Sequence, residues 1–289
     1  MPALAAFNCN MTATSVSAIY TGNNVNANGS VTITCTRDPL NDPTTLTYRI
    51  KADDGSNPRT TAPFRRAELG ATETYLNYIL RRGAVVGGTA VCGNLTDWRA
   101  PLTGFTDVIR GTLTFATGAS SASATWGYCV RVRGTTGGNP ELPTAGIYND
   151  SFLVTAQYPN SDAGAVSAPA TAGYTVDVGA KCEFVMPPQN MNFNYTSFSP
   201  TAQTLKPIFF LRCSPGLGWS LAVSPPLAPL LGLNYNMSIG LNSNPDVSSG
   251  IGTGSDQIIR ITGTIPANQA GTCSSSCTAT QPHTVTITF

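Results

Sequence analysis

The chain has 289 residues and a net charge of +1, and only 11% of its residues are charged while 41% are hydrophobic. The balanced charge argues against the basic surface that electrostatic binding to nucleic acid requires, and the hydrophobic share argues against charge-driven disorder. The length suits one large or two ordinary domains. No stretch approaches the ~20 consecutive apolar residues of a membrane-spanning helix.

The chain begins with "MPALAAFNC", whose small residues are typical of the site where a signal peptidase cuts. The other interpretation is an ordinary start that happens to be rich in small residues. We expect an exported protein. Cleavage near Ala6 would leave Phe7 and Cys9 at the start of the mature chain, with no additional strand before them.

Short runs rich in β-branched and aromatic residues recur along the chain, separated by turns of Gly, Asn, Pro and Asp. The first half contains "SVTITC", "LTYRIKA", "YLNYIL", "RGTLTFA", "YCVRVR" and "SFLVTAQY". The second half contains "YTVDVG", "PIFFLRC", "WSLAV", "LNYNMSI", "QIIRITGTI" and "HTVTITF". No amphipathic helix of useful length is visible, so the pattern predicts antiparallel β-sandwiches.

A composition change divides the chain after "SFLVTAQYP". The next stretch, "NSDAGAVSAPATAG", is rich in Ala, Gly and Ser, as expected of a linker. We therefore predict a first domain over residues 1–163 and a second over 174–289. Residues 164–173 form either the linker or the last strand of the first domain, because "GAVSAP" alternates weakly.

Eight cysteines, four in each half, predict a disulfide framework in an oxidising compartment. With no CxxC pair and His283 as the only histidine, we predict no metal site. In each half one cysteine lies near the start and a second ends a strand. This shared arrangement favours the pairs Cys9–Cys35 and Cys182–Cys213. The remaining cysteines then pair as Cys92–Cys129 and Cys273–Cys277, although the sequence permits other connectivities.

Several motifs occur in both halves: "VTITC" with "FLRC", and "YLNYIL" with "LNYNM". The first half closes on "AGIYNDSFLVTAQY", and the second adds "MNFNY" and "GTIPANQ". These motifs resemble the spore coat protein U domain, which is found in subunits of archaic chaperone–usher pili. The resemblance covers nearly the whole chain as two copies. The first half lacks a clear "GTIPANQ", and the second has Cys273 where the closing motif has tyrosine.

The resemblance implies an all-β protein with two immunoglobulin-like antiparallel sandwiches in tandem, the C-terminal one lacking its final strand. The partners it implies are a periplasmic chaperone, an outer-membrane usher and the next pilus subunit, which donates the missing strand. It also implies export through the periplasm to the cell surface. We expect Val285, Ile287 and Phe289, on the alternating closing strand, to contact the chaperone and then the donor strand.

A chain that accepts a strand but donates none belongs at the tip of a fibre, so we expect a tip adhesin that promotes attachment and biofilm formation. Its target would be an abiotic or host surface. Apolar loops of the first domain are the candidates for this contact, although they could instead close the sandwich core. Their candidate residues are Val85, Val86, Leu102, Phe105 and Trp126.

Three other functions were weighed. Catalysis is not expected, because no nucleophile–base pair, metal motif or phosphate-binding loop is present, and no cofactor is predicted. A non-tip pilus subunit or a secreted coat protein is the first alternative, and a glycan-binding lectin is the second.

Arginines of the first half form either an anion-binding patch or ordinary solvated positions: Arg65, Arg66, Arg81, Arg82, Arg131 and Arg133.

Overall fold

The computed structural model describes residues 7–58, 64–83, 96–98, 108–134, 141–160, 164–224 and 229–289. Throughout these ranges the regular elements are β-strands, so the protein is all-β, as the alternating patterns predict. The chain divides into two compact units. The first unit comprises Met1–Asn139 with Gly146–Gly179, and the second comprises Pro140–Ala145 with Ala180–Phe289.

The described residues of the first unit form twelve strands, which belong to one continuous sheet. They are β1 (Asn8–Ala13), β2 (Val16–Tyr20), β3 (Val25–Thr36), β4 (Thr45–Ala52), β5 (Phe64–Leu69), β6 (Tyr75–Arg82), β7 (Thr96–Asp97), β8 (Ile109–Thr114), β9 (Ser121–Val132), β10 (Gly146–Tyr158), β11 (Ala165–Val166) and β12 (Ala170–Val178).

The sheet follows the order β1-β3-β9-β6-β5-β10-β12-β2, and β4 connects β10 to β8. Only two residues separate β1 from β2, so the N-terminal segment pairs with β3 on one side and then with β12 on the other. The β2–β12 pair is parallel, whereas the other strand pairs are antiparallel. The two ends of the sheet are therefore joined through consecutive strands of the chain.

Side chains at alternating positions form the core of the first unit. In β10, Tyr148, Phe152 and Val154 are fully buried, and in β12 Tyr174 and Val176 are buried with them. Tyr78 packs against Tyr174 with the ring centroids 4.9 Å apart. Burial of so many large side chains supplies the main favourable term in folding.

The expected boundary of the second domain at residue 174 requires a correction. Tyr174 lies in the middle of β12, which pairs with β10 from Ala170 to Val178, and the units divide between Gly179 and Ala180. Residues 164–173, expected as a linker or a last strand, contain β11 and the first part of β12. The run "YTVDVG" was expected as a strand but was assigned to the second domain, because the small residues Ala170, Ala172 and Gly173 made the first part of β12 resemble a linker.

In the second unit the described part of the chain forms eight strands: β13 (Cys182–Met186), β14 (Gln203–Leu205), β15 (Ile208–Cys213), β16 (Gly218–Ser224), β17 (Asn236–Leu241), β18 (Ser249–Ile251), β19 (Asp256–Ile265) and β20 (Thr284–Thr288). One sheet has the order β13-β15-β19-β14, with β17 also paired to β19. The other has the order β18-β16-β20. Phe209, Leu211, Trp219, Ile259 and Ile261 are buried between them.

Equivalent disulfides mark the repeat. Cys9 is bonded to Cys35 between β1 and β3, and Cys182 is bonded to Cys213 between β13 and β15. In both pairs the cysteines are direct register partners. The expected Cys273–Cys277 bond is also present, between residues four positions apart. Cys129 is disulfide-bonded as well. Its expected partner Cys92 lies outside the described residues.

Candidate functional site

The strands that close the two units differ in how their edges are paired. In the first unit, β10 pairs with β4 and β5 along one edge and with β11 and β12 along the other. In the second unit, the corresponding strand β20 pairs with β16 alone among the described residues. Its second edge therefore presents backbone N–H and C=O groups without a strand partner, which is the usual starting point for pairing with another chain.

The side chains on these strands show the same difference. Val154 and Ala156 of β10 lie opposite Ala52 and Ile50 of β4, and both are fully buried. Tyr158, two residues further along, is 7% exposed.

The equivalent side chains of β20 are less covered. Val285 and Ile287 lie opposite Val223 and Leu221 of β16, but both are only partly buried. Phe289 is 55% exposed. Because these apolar side chains are buried in one repeat and uncovered in the other, no described residue of the second unit covers β20 as β11 and β12 cover β10.

The segment at residues 191–195, "MNFNY", follows β13 in the chain as β2 follows β1 in the first unit. Met191, Phe193 and Tyr195 are partly buried, whereas Asn192 and Asn194 are exposed, which is the alternation of a strand. Yet this segment is not paired with any strand in the described part of the chain. In the first unit β12 lies between β10 and β2. No strand of the described residues takes the corresponding place in the second unit, between β20 and residues 191–195, which we call the unfilled strand position.

Two residues of the "GTIPANQ" motif hold this segment in place. A Cβ added to Gly263 would lie 2.9 Å from Sδ of Met191 and 3.1 Å from Cζ of Phe193, so glycine lets both side chains pack closely against β19 without moving. The backbone N–H of Gln269 donates to the hydroxyl of Tyr195 at 2.9 Å. The motif therefore braces one wall of the unfilled strand position.

The side chain of Gln269 ties a third segment to this wall. Its Oε1 accepts from the backbone N–H of Asn234 at 2.7 Å, and its Nε2 donates to the carbonyl of Asn234 at 2.8 Å. The backbone N–H of Phe198 donates to the carbonyl of Gln269 at 2.8 Å. Through its side-chain amide and its backbone carbonyl, Gln269 therefore ties together the loops before β14, β17 and β20.

The walls of the unfilled strand position carry no charge. Val285, Ile287, Met191 and Phe193 are apolar, so an incoming strand would be held by backbone hydrogen bonds and apolar contacts. The Nε2 of His283, just before β20, lies 2.6 Å from the hydroxyl of Tyr235. Burial raises the pKa of the Tyr235 hydroxyl, so it remains protonated at neutral pH.

Four of the five expected surface-binding residues, Val85, Val86, Leu102 and Phe105, lie outside the described residues. The fifth requires a correction. Trp126 is not in a loop: it lies within β9, partly buried against the core, and its indole N–H donates to the hydroxyl of Tyr48 at 2.8 Å. Polar and small residues around it belong to one long alternating strand, which sequence inspection divided into a loop and a shorter strand.

An exposed apolar side chain that we did not predict lies in the loop before β4. Leu40 is 90% exposed in "RDPLNDP", and its backbone N–H donates to the carboxylate of Asp38 at 2.9 Å. That bond, and a second from Nδ2 of Asn41, lower the pKa of Asp38. The spacing of aspartate, proline and asparagine signals such a turn, but nothing in it indicates that the leucine points outward.

The first unit also shows where this loop lies. Gly146 of β10 pairs with Val178 at one end of the sheet, while Gln157 pairs with Arg49 near the start of β4. The loop that precedes β4 is therefore at the opposite end from the one where the chain leaves the first unit. An apolar residue at this end is available for contact with a surface.

Three arginines of the first half have local structural roles. Arg65 is 3% exposed, and its guanidinium donates to the carbonyls of Asp53 and Trp98. Arg81 pairs with Asp97 at 3.2 Å, and Arg66 stacks over the ring of Tyr75. Arg65 is therefore unavailable to an anion-binding patch, because its donors are used inside the protein.

Among the described residues there is no group of His, Cys, Asp and Glu side chains arranged to hold a metal ion. The same part of the chain contains no helix with the length and hydrophobicity needed to cross a membrane.

The fold and the site together define a class: two tandem β-sandwich units, the first with its closing strand covered by its own chain and the second with an unfilled strand position. No model of a known protein family matches the chain, and no curated protein matches it.

Several solved structures to which the chain is similar are proteins of bacterial pili. One is the CsuC–CsuE chaperone–tip adhesion subunit pre-assembly complex of archaic chaperone–usher Csu pili from Acinetobacter baumannii, at 15% identity and a TM-score of 0.45, covering 97% of this chain and 100% of that chain. The CupB6 tip adhesin from Pseudomonas aeruginosa has 11% identity and a TM-score of 0.37, covering 92% of this chain and 89% of that one.

The CooA pilin subunit from enterotoxigenic Escherichia coli has 12% identity and a TM-score of 0.33, covering 60% of this chain and 99% of its own. At these identities and TM-scores the similarities carry no argument about function, which has to come from the geometry of the two units.

Proposed function

We propose that the second unit accepts a β-strand from another protein, in the unfilled strand position between β20 and residues 191–195. The observation that carries this proposal is the incomplete burial of Val285, Ile287 and Phe289, compared with the burial of Val154, Ala156 and Tyr158 in the first unit. A strand added there would pair with the free edge of β20 and cover these side chains, as β11 and β12 do for β10.

The first unit provides the template for the incoming strand. β12 runs antiparallel to β10 and parallel to β2, with Ala172, Tyr174, Val176 and Val178 facing the core. We expect the incoming strand to run antiparallel to β20 and parallel to residues 191–195. It should carry apolar residues at every second position, since both walls are apolar.

The setting that we propose is a chaperone–usher pilus, as the sequence motifs imply. A periplasmic chaperone would fill the strand position during export, and the donor strand of the next subunit would replace it at the outer-membrane usher. The first unit needs no such strand, because β12 already covers β10.

Within such a fibre we propose the role of tip adhesin at the cell surface, with the first unit making contact with an abiotic or host surface and promoting biofilm formation. A unit closed by its own chain is free for attachment, while the open unit joins the fibre. The exposed Leu40, at the end of the first unit remote from Val178, supports this division of roles.

Strand acceptance is tested with a synthetic peptide of residues 164–178, labelled at its N-terminus. We expect the intact chain to bind it, and Ile287→Asp to weaken binding at least ~10-fold because the added strand would bury a carboxylate without a partner. Fluorescence anisotropy measures both affinities. A peptide of scrambled order is the control, and equal binding of the two peptides would contradict the proposal.

Surface contact is tested by Leu40→Ser, with Leu40→Met as the matched apolar control. We expect the serine variant to lose up to ~10-fold in retention on polystyrene beads, since the free energy from covering one leucine is lost. Its melting temperature should not change, because Leu40 is already 90% exposed. Unchanged retention on polystyrene, together with binding to glycan-coated beads, would favour the lectin alternative.

A further inference from the structure

The outward face of the second unit's larger sheet carries an apolar row that no described residue covers. Met186, Phe210 and Ile258 are register partners on β13, β15 and β19. Met186 is 38% and Ile258 is 41% exposed, while Phe210 is partly exposed and does not pack with the core cluster. Ile208, two residues before Phe210 on the same face, is 40% exposed.

The first unit has a different chemistry at the same place. Thr32 precedes Cys35 by three residues, as Phe210 precedes Cys213, and its register partners are Thr12 and Thr125. The hydroxyls of Thr32 and Thr125 are 2.9 Å apart, so this row faces water as a hydrogen-bonded threonine ladder. The fold therefore does not require an apolar row here, and exposed apolar rows usually mark contact surfaces.

Charges of opposite sign flank the apolar row along β19. Asp256 lies on one side of Ile258 and Arg260 on the other, each two residues away and on the same face. Asp256 pairs with Arg212 at 2.7 Å, but its side chain remains 38% exposed. Nε of Arg260 is buried and has no hydrogen-bond partner in the described part of the chain.

This pattern is complementary to itself. When two copies of the face pack together with their β19 strands antiparallel, Ile258 meets its own equivalent. Asp256 of each copy then lies opposite Arg260 of the other. Such a contact has two-fold symmetry, the most common arrangement of protein pairs. Face-to-face packing of sheets with nearly aligned strands is also the usual geometry of β-sandwiches.

We propose that the outward face of β13, β15 and β19 is an interaction surface for a second copy of this chain. The apolar row supplies the centre of the contact, and two Asp256–Arg260 pairs between copies set its orientation. The face spans only three strands, so the contact is smaller than the roughly 800 Å² per partner of a standard interface. The dimer is therefore weak and forms where molecules are concentrated, as on neighbouring fibres. The proposal does not depend on strand acceptance.

Charge reversal tests the symmetry. Sedimentation velocity of the intact chain between about 5 and 500 µM should show a monomer–dimer equilibrium. Arg260→Asp and Asp256→Arg should each raise the dissociation constant at least ~10-fold, because like charges then face each other. An equimolar mixture of the two variants should associate again, since each supplies the charge that the other lacks. Asp246→Arg, with the same charge change as Asp256→Arg at an exposed site between β17 and β18, should have no effect.

Two further variants keep the test decisive. Ile258→Thr installs the residue of the first unit and should weaken association without altering the melting temperature, even if Asp256→Arg folds poorly. Ile287→Asp blocks the unfilled strand position and should leave association intact, which separates this proposal from the preceding one. A monomer at all concentrations would overturn the proposal. So would a mixture of the charge-reversed variants that fails to associate, or single reversals that associate like the native chain.

Discussion

Fusing a second copy of residues 159–178 to Phe289 is expected to raise the melting temperature of the second unit by about 10–20 °C. In the first unit this stretch follows β10 directly and supplies β11 and β12, which cover its free edge. Attached after β20, it would cover Val285, Ile287 and Phe289 in the same way. A net gain of about 2–4 kcal/mol, after the entropy of ordering the strand, corresponds to this shift for a unit of this size.

Differential scanning calorimetry measures the effect, because the two units should unfold in separate transitions. The control carries Tyr174→Asp and Val176→Asp in the fused copy only, which keeps the length but places carboxylates against the apolar walls. We expect the control to melt like the native chain. A native-like melting temperature in the fused protein itself would show that the strand position is already filled or does not exist.

Replacing Asp150 with alanine is expected to destabilise the first unit by about 2–4 kcal/mol, because three hydrogen bonds to a buried carboxylate are lost. Asp150 is the aspartate of "AGIYNDS" and is 7% exposed. Its Oδ2 accepts from the hydroxyl of Tyr78 at 2.6 Å, and its Oδ1 accepts from the backbone N–H groups of Ser56 and Ser151. The alanine variant would leave the fully buried Tyr78 hydroxyl without its partner.

The pH dependence of stability separates the effect of the Asp150 charge from the effect of its shape. Burial raises the pKa of Asp150 above its ordinary value, outweighing the opposing hydrogen bonds from Tyr78, Ser151 and Ser56. Because the native pKa is raised, the stabilisation contributed by protonated Asp150 is fully present below the pKa of the unfolded state. That contribution is lost as pH rises through the native pKa.

Asp150→Asn keeps the shape without the titration. The stability advantage of the native chain over this variant should therefore shrink as pH rises from about 3. Urea unfolding at a series of pH values measures the difference. A constant or growing difference would show that the carboxylate is not desolvated in the folded protein.

The β-strands could be predicted from the sequence wherever β-branched and aromatic residues alternate with polar ones. The closing strand, with Val285 and Ile287 on one face, is such a case. The first part of β12 was harder to predict, because Ala172 fills an inward position and Gly173 packs against a distant part of the chain. A Cβ on Gly173 would lie 3.0 Å from Oγ of Ser15, on a distant part of the chain. Local patterns contain no information about such approaches.

Side chains that bond to backbone carbonyls were the other limit. The charge of Arg65 predicts an exposed position, yet its guanidinium is buried and donates hydrogen bonds to the carbonyls of Asp53 and Trp98. The bracing role of Gln269 has the same origin, since its partners at positions 195, 198 and 234 are far away in sequence. The motif containing Gln269 was recognisable in the sequence, but its contacts depend on how the loops meet in the folded unit.

The parallel pairing of β2 with β12 has a consequence for how the first unit forms. Gly173 donates its N–H to Ser15 across 158 residues of chain, so the N-terminal segment cannot complete its pairing until β12 has been synthesised. Contacts of such long range slow folding, because the entropy of closing a large loop precedes the gain from pairing. Until residue 178 is available, the nascent first unit exposes the same kind of free edge that the finished second unit keeps. A fragment ending at residue 163 would retain that edge permanently.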